Sequence, residues 1–137
     1  LTEMFAAALK QLGVRSAFVV HGHDGLDEIS VCDATRVSQL TDGTIRTYDI
    51  YPQQYFDDLA DPADLRGGDA ATNADILRDI FNGGTGAHRD VVLINAAAAL
   101  VAAGAADTLE AGLKLAQHSI DSGQAREKLL ALVGFSQ

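Results

Sequence analysis

A chain of 137 residues is of single-domain length, and 47% hydrophobic against 21% charged residues is the balance of a folded globular protein. Ten Lys and Arg against nineteen Asp and Glu leave a net charge of −9, with the basic residues scattered; both nucleic acid and an anionic membrane are therefore disfavoured as partners. Cys32 is the single cysteine, so no internal disulfide is possible, and no basic leader precedes an apolar run; a cytoplasmic setting is expected.

Leu1, Phe5, Leu9 and Leu12 recur at helical spacing, and Gly13 stands where a helix should stop. The sequence opens inside this helical pattern and without Met, which suggests a piece of a longer protein. Ser16 to Val20 is short, apolar and partly β-branched, and it runs into His21-Gly22; it reads as a buried, parallel-type strand followed by a polar loop. No parallel partner for it is evident, so part of a sheet is expected to be missing. Glu28 to Val37 and Thr44 to Ile50 read as a second pair of extended segments, joined by the hairpin signal Asp42-Gly43. Pro52 to Pro62 is a connecting region.

Asp69 is placed to cap a helix over about Ala70 to Phe81, with Ala74, Ile76, Leu77 and Ile80 inward and Asn82-Gly83-Gly84 as the stop. A nearly all-apolar helix over about Asp90 to Ala103 should be central and buried. Asp107 with Glu110 resembles a capping box for a helix to about Asp121, with a core stripe of Leu109, Leu113, Ala116 and Ile120. A last helix covers about Ala125 to Gly134. The expected class is α/β, with early strands and a hairpin followed by packed helices.

The densest polar cluster is His21-Gly22-His23-Asp24-Gly25-Leu26-Asp27-Glu28. Its glycines permit a sharp turn and a close ligand approach. Its carboxylates suit Mg²⁺, a hard ion that takes one or two protein carboxylates together with substrate phosphates. A plain solvated acidic loop fits the spacing as well, and His21 with His23 as a zinc pair is a third reading that wants further ligands nearby. Arg66-Gly67-Gly68-Asp69 precedes a helix N-terminus and reads as a capped turn rather than an anion site. Cys32 has no basic activator beside it and reads as a structural thiol, and Asn95 reads as a satisfied polar group inside an apolar helix.

The segments FVVHGHDGLDEIS (Phe18 to Ser30), Thr35-Arg36-Val37 with the DGTI hairpin, LRGGDAATNADILRDIF, RDVVLINAAAALVAAGAADTLEAG and AQHSIDSGQAREKLLALVGFS, in that order, resemble the anthranilate phosphoribosyltransferase family over essentially the whole chain. The resemblance implies a nucleoside phosphorylase-like fold, of which residues 1–137 would be the C-terminal portion of the α/β domain. The N-terminal helical domain and the first part of the α/β domain would lie outside it. It implies an enzyme transferring phosphoribosyl from phosphoribosyl pyrophosphate to anthranilate in tryptophan biosynthesis, with Mg²⁺ held by the family's Asp-Glu pair, matched here by Asp27 and Glu28. Family members dimerise through the helical domain, so a homodimeric parent is implied.

The family's GTGGD-type and KHGN-type motifs are absent, and Gly83 to Ala87 (GGTGA) follows a helix rather than a strand. Cys32-Asp33-Ala34 replaces a Thr-Gly-Pro-like turn. The chain alone is thus expected to be inactive, carrying at most a metal site. A related nucleoside phosphorylase, a non-catalytic paralogue and a silent binding module are the alternatives.

Overall fold

In a computed structural model, which describes residues 1–136, a three-stranded sheet lies between one helix on one face and a group of four on the other. Helix α1 (Thr2–Gln11) ends at Gly13, whose φ of +84° lets the Val14 N–H reach back to the Leu9 carbonyl at 3.1 Å. Strands β1 (Ser16–Gly22), β2 (Thr35–Thr41) and β3 (Thr44–Ile50) pair in sequence order, antiparallel throughout. Asp42 and Gly43 both adopt positive φ (+44° and +83°), as the two-residue turn between β2 and β3 demands.

The expectation of a parallel-type strand at Ser16–Val20 is corrected: β1 pairs antiparallel with β2 and is half-buried. Its unbroken apolar run has another cause. Phe18 and Val20 face the core beneath the later helices, while Ala17 and Val19 lie on the opposite face, which α1 covers. Both faces are therefore apolar without any parallel neighbour. The outer edge of β1 has no strand partner among the described residues.

The register places Val20, Val37 and Tyr48 in a row on the core face, and Val19, Ser38 and Thr47 in a row on the α1 face. There the buried Ser38 hydroxyl lies 2.9 Å from both the Thr2 and the Thr47 hydroxyls, which ties α1 to the sheet. Thr2 and Ala6 are the inward residues of α1. The stripe read from the sequence points away instead, with Leu1, Phe5 and Leu12 exposed.

Two short 3-10 turns, Pro52–Gln54 and Pro62–Leu65, punctuate the connection to the helices. Helix α2 (Ala70–Phe81) has the expected limits, because the Asp69 carboxylate accepts from the Thr72 N–H at 2.8 Å. Helix α3 (Ala87–Ala102) begins three residues earlier than read, since Gly86 at φ +102° opens it and accepts the Arg89 and Asp90 N–H groups. Helix α4 (Leu109–Asp121) is capped by the Thr108 hydroxyl rather than by an Asp107–Glu110 box.

The centre of the core is α3 on α4: Leu93, Ile94, Ala97 and Ala98 meet Leu109, Leu113, Ala116 and Ile120. Gly112 lets the two backbones close in, for a Cβ there would stand 2.7 Å from the Ala97 carbonyl oxygen. Helix α5 (Gln124–Phe135) buries no residue fully. No helix among the described residues is long and apolar enough to cross a membrane.

Candidate functional site

The loop from His23 to Ala34 joins β1 to β2. Residues 28–34, read from the sequence as the start of a strand, are irregular because side chains take up their backbone groups. At its base the Gly22–Thr35 pair closes the sheet, and the His23 N–H donates to the Ala34 carbonyl at 2.8 Å. The Gly22 N–H then donates to the Leu26 carbonyl at 2.8 Å, which folds the HGHDG run into a tight turn. A Cβ at Gly22 would collide with the Asp24 carboxylate, so a larger residue there would displace that carboxylate; the constraint is one of space rather than of φ.

The carboxylates of the loop divide into two kinds. Asp24 is consumed internally: one oxygen accepts from the Leu26 N–H at 3.1 Å and the other from the Ser30 hydroxyl at 2.6 Å. Ser30 is buried and its oxygen also accepts the Cys32 and Asp33 N–H groups, while its own N–H donates to the Thr35 hydroxyl at 2.9 Å. Asp27 and Glu28, by contrast, are exposed and make no side-chain hydrogen bond or ion pair among the described residues. The loop therefore spends two carboxylates on its own shape, Asp24 and Asp33, the latter accepting the Ala34 N–H at 2.7 Å, and presents two.

Behind the presented pair sits a clamp. Asn95, on α3, accepts the Ile29 N–H through Oδ1 and donates through Nδ2 to the Ile29 carbonyl, each at 2.9 Å; the same Nδ2 donates to the Val91 carbonyl one turn back. The sequence marked Asn95 as a satisfied polar group, and it is one. What the sequence hides is the partner, 66 residues away. Also unforeseen is the ion group beside the loop: Asp49 receives Arg36 at 2.7 Å and lies 3.2 Å from His23 Nε2.

The donor set suits Mg²⁺ better than zinc. Two adjacent, exposed carboxylates are what Mg²⁺ takes from a protein when phosphate and water complete its shell. His23 faces Asp49, and no group of three or more His, Cys, Asp or Glu that could hold a metal ion by itself comes together among the described residues, so Mg²⁺ would need phosphate and water as well as this pair.

Cys32 is half-buried; burial, then the charges of Asp24, Asp61 and Asp64, push its thiol pKa up, the opposite of an activated nucleophile. The Arg66–Asp69 turn is closed on itself, with the Gly68 N–H donating to Asn73 Oδ1 at 2.8 Å and the Asp69 carboxylate taking the helix end. Those Asp69 bonds, to the Thr72 N–H and hydroxyl, hold its pKa below the usual carboxylate range.

Against known proteins, residues 1–126 match the family model described as glycosyl transferase family, a/b domain. The anthranilate phosphoribosyltransferase of Desulfosudis oleivorans is 59% identical over 138 residues, covering 100% of this chain and 41% of that protein. The crystal structure of the enzyme of that name from Thermus thermophilus superposes with a TM-score of 0.84 at 33% identity, over 95% of this chain and 38% of that one. A variant of the Saccharomyces cerevisiae enzyme with Mg bound gives a TM-score of 0.76 at 26% identity, over 90% of this chain and 36% of that one. The chain spans about two fifths of the length of the curated relatives it matches, and the match is to their C-terminal part. With a family model covering residues 1–126 of 137, the chain belongs to the glycosyl transferase family, within its α/β domain.

Proposed function

We propose that this chain works as the C-terminal portion of the α/β domain of an anthranilate phosphoribosyltransferase, where its acidic loop supplies Asp27 and Glu28 as ligands to Mg²⁺. The observation that carries this reading is the division of labour in the loop: Asp24 is spent on internal bonds while Asp27 and Glu28 stand free beside it. The similarity to anthranilate phosphoribosyltransferases over the whole chain supplies the reaction class.

The substrates of the complete protein would be phosphoribosyl pyrophosphate and anthranilate, in tryptophan biosynthesis and in the cytoplasm, and the complete protein would be a homodimer. When bound, Mg²⁺ would neutralise negative charge that grows on the departing pyrophosphate. The chain's own part is to hold two carboxylates at fixed positions on a loop braced from beneath, so that little ordering remains to be done when the ion and phosphates arrive. No nucleophile is required of it, and the raised pKa of Cys32 agrees with that.

The test is complementation. The purified chain is mixed with the N-terminal three fifths of a relative, and loss of anthranilate fluorescence is followed with phosphoribosyl pyrophosphate and Mg²⁺. The chain alone should give a flat trace and the mixture turnover. Asp27→Ala with Glu28→Ala should raise the Mg²⁺ concentration needed for half-maximal rate at least tenfold. An unchanged Mg²⁺ requirement in the active double variant would remove these two residues from the metal site.

A further inference from the structure

We infer that Asn95 is a positioning residue for the Asp27–Glu28 pair: it fixes where the two carboxylates stand without touching a ligand itself. The inference rests on the metal-binding reading above and deepens it.

The argument starts from how poorly Asn suits its position. Asn95 interrupts an otherwise apolar stretch, Val91 to Val101, of the helix that forms the centre of the core. Asparagine is a weak helix former, and a polar amide among Leu93, Ile94 and Ala97 must find partners or be penalised for desolvation. It finds three, and they are arranged as a clip. The bond to the Val91 carbonyl, one turn back on its own helix, sets the plane of the amide. The two remaining bonds then take both the N–H and the C=O of one peptide residue, Ile29. That is the geometry with which one strand grips another, performed by a single side chain.

Ile29 is the residue directly after Glu28. Its side chain is driven into the core, 2% exposed, while its backbone is held by Asn95. The acidic pair thus lies between two anchors: the Asp24–Leu26 turn on one side and the clipped Ile29 on the other. Ser30, fixed through Asp24 and Thr35, extends the second anchor. Of these supports only Asn95 comes from outside the sheet and its loop. It ties the carboxylates to α3, the most deeply buried helix, so that the core sets their position.

The experiment uses the 137-residue chain labelled with ¹⁵N and Mn²⁺ alone as the probe, read as paramagnetic broadening of backbone amide signals. In the parent, broadening should concentrate on Asp27, Glu28 and Ile29. In Asn95→Ala the Ile29 amide should exchange with solvent at least tenfold faster, and the Mn²⁺ concentration for half-broadening should rise at least fivefold. Leu93→Ala, which removes core volume from the same helix without touching the clip, should leave that concentration within twofold. This separates positioning from general loss of stability. Should Asn95→Ala fail to fold, Asn95→Ser carries the same comparison, because serine can bond back to the Val91 carbonyl but cannot span the Ile29 peptide. Parent broadening at the pair with an unchanged midpoint in the Asn95 variant overturns the positioning role and leaves the metal reading standing. An equal shift in Leu93→Ala also overturns it. No broadening at the pair in the parent overturns the metal reading, and the inference that rests on it falls too.

Discussion

At the scale of single residues, charge in this protein is sorted by burial. Asp27 and Glu28 sit in water, whereas Asp90 lies half-buried at the start of α3, facing a hollow also lined by Asp57, Asp58 and Asp64. Burial raises the Asp90 carboxyl above its ordinary 3.8, and the neighbouring Arg89 offsets only part of this. A carboxyl whose folded pKa is raised binds its proton more tightly when folded. It therefore subtracts stability as pH climbs from the unfolded value through the folded one. Asp90→Asn should accordingly be at least as stable as the parent at pH 7, with the difference closing as pH falls below about 4, where both side chains are uncharged. Urea denaturation at the two pH values checks this, and a variant less stable at pH 7 but equal in acid would reverse the sign. The sequence showed the acidic pair but not this distinction among carboxylates. Adjacent letters report composition, whereas the supports of Asp24 and the cover over Asp90 come from elements brought in by folding.

At the scale of elements, legibility followed local bonding. The ends of α2 were readable because Asp69 and Asn82-Gly83 act within a turn of the positions they stop. The β2–β3 turn was readable for the same reason, since Asp-Gly alone satisfies its two positive φ values. The start of α3 was missed, as Gly86 carries no side-chain signal. So was the pairing direction of β1: a doubly covered antiparallel strand and a parallel one look alike in sequence.

The inward stripe of α4 (Leu109, Leu113, Ala116, Ile120) and the central place of α3 were legible, but which helix meets which was not, and the α3–α4 crossing shows why. Gly112 looks like a helix weakness, yet it is the point of closest approach, with Ala97 backbone atoms 2.7 and 3.0 Å from where a Cβ would stand. Gly112→Ala should therefore lose stability, because overpacking costs about 1–3 kcal/mol and exceeds the roughly 1 kcal/mol that alanine contributes over glycine in a helix. Gly134, in α5 with nothing near its missing Cβ, is the contrast: Gly134→Ala should stabilise by about 0.5–1 kcal/mol. Denaturation midpoints for the pair check both signs, and a stabilised Gly112→Ala would mean the helices part without cost.

At the scale of the whole molecule, two apolar surfaces remain open. One is the outward stripe of α1, where Leu1 is 87% and Leu12 80% exposed with Met4 and Phe5 between them; the other, smaller, is on α5, where Leu132 and Phe135 face solvent on one side. Scattered exposed apolar residues are ordinary, but rows along a helix mark docking faces. The relatives extend well beyond this chain, and the remainder of such a protein is what we expect to cover the α1 face. Phe5→Asp should leave folding stability within about 0.5 kcal/mol, as for other exposed positions, while lowering the fluorescence of a hydrophobic dye. A large loss of stability would mean that Phe5 is already packed.

The unpaired flank of β1 carries a further consequence. A strand with free N–H and C=O groups along one side is a template, and antiparallel pairing gives two identical flanks a way to zip together about a twofold axis. Concentrated solutions of the chain would then hold a continuous sheet shared by two molecules, three strands from each. A flank of this kind would make the isolated chain adhesive toward itself.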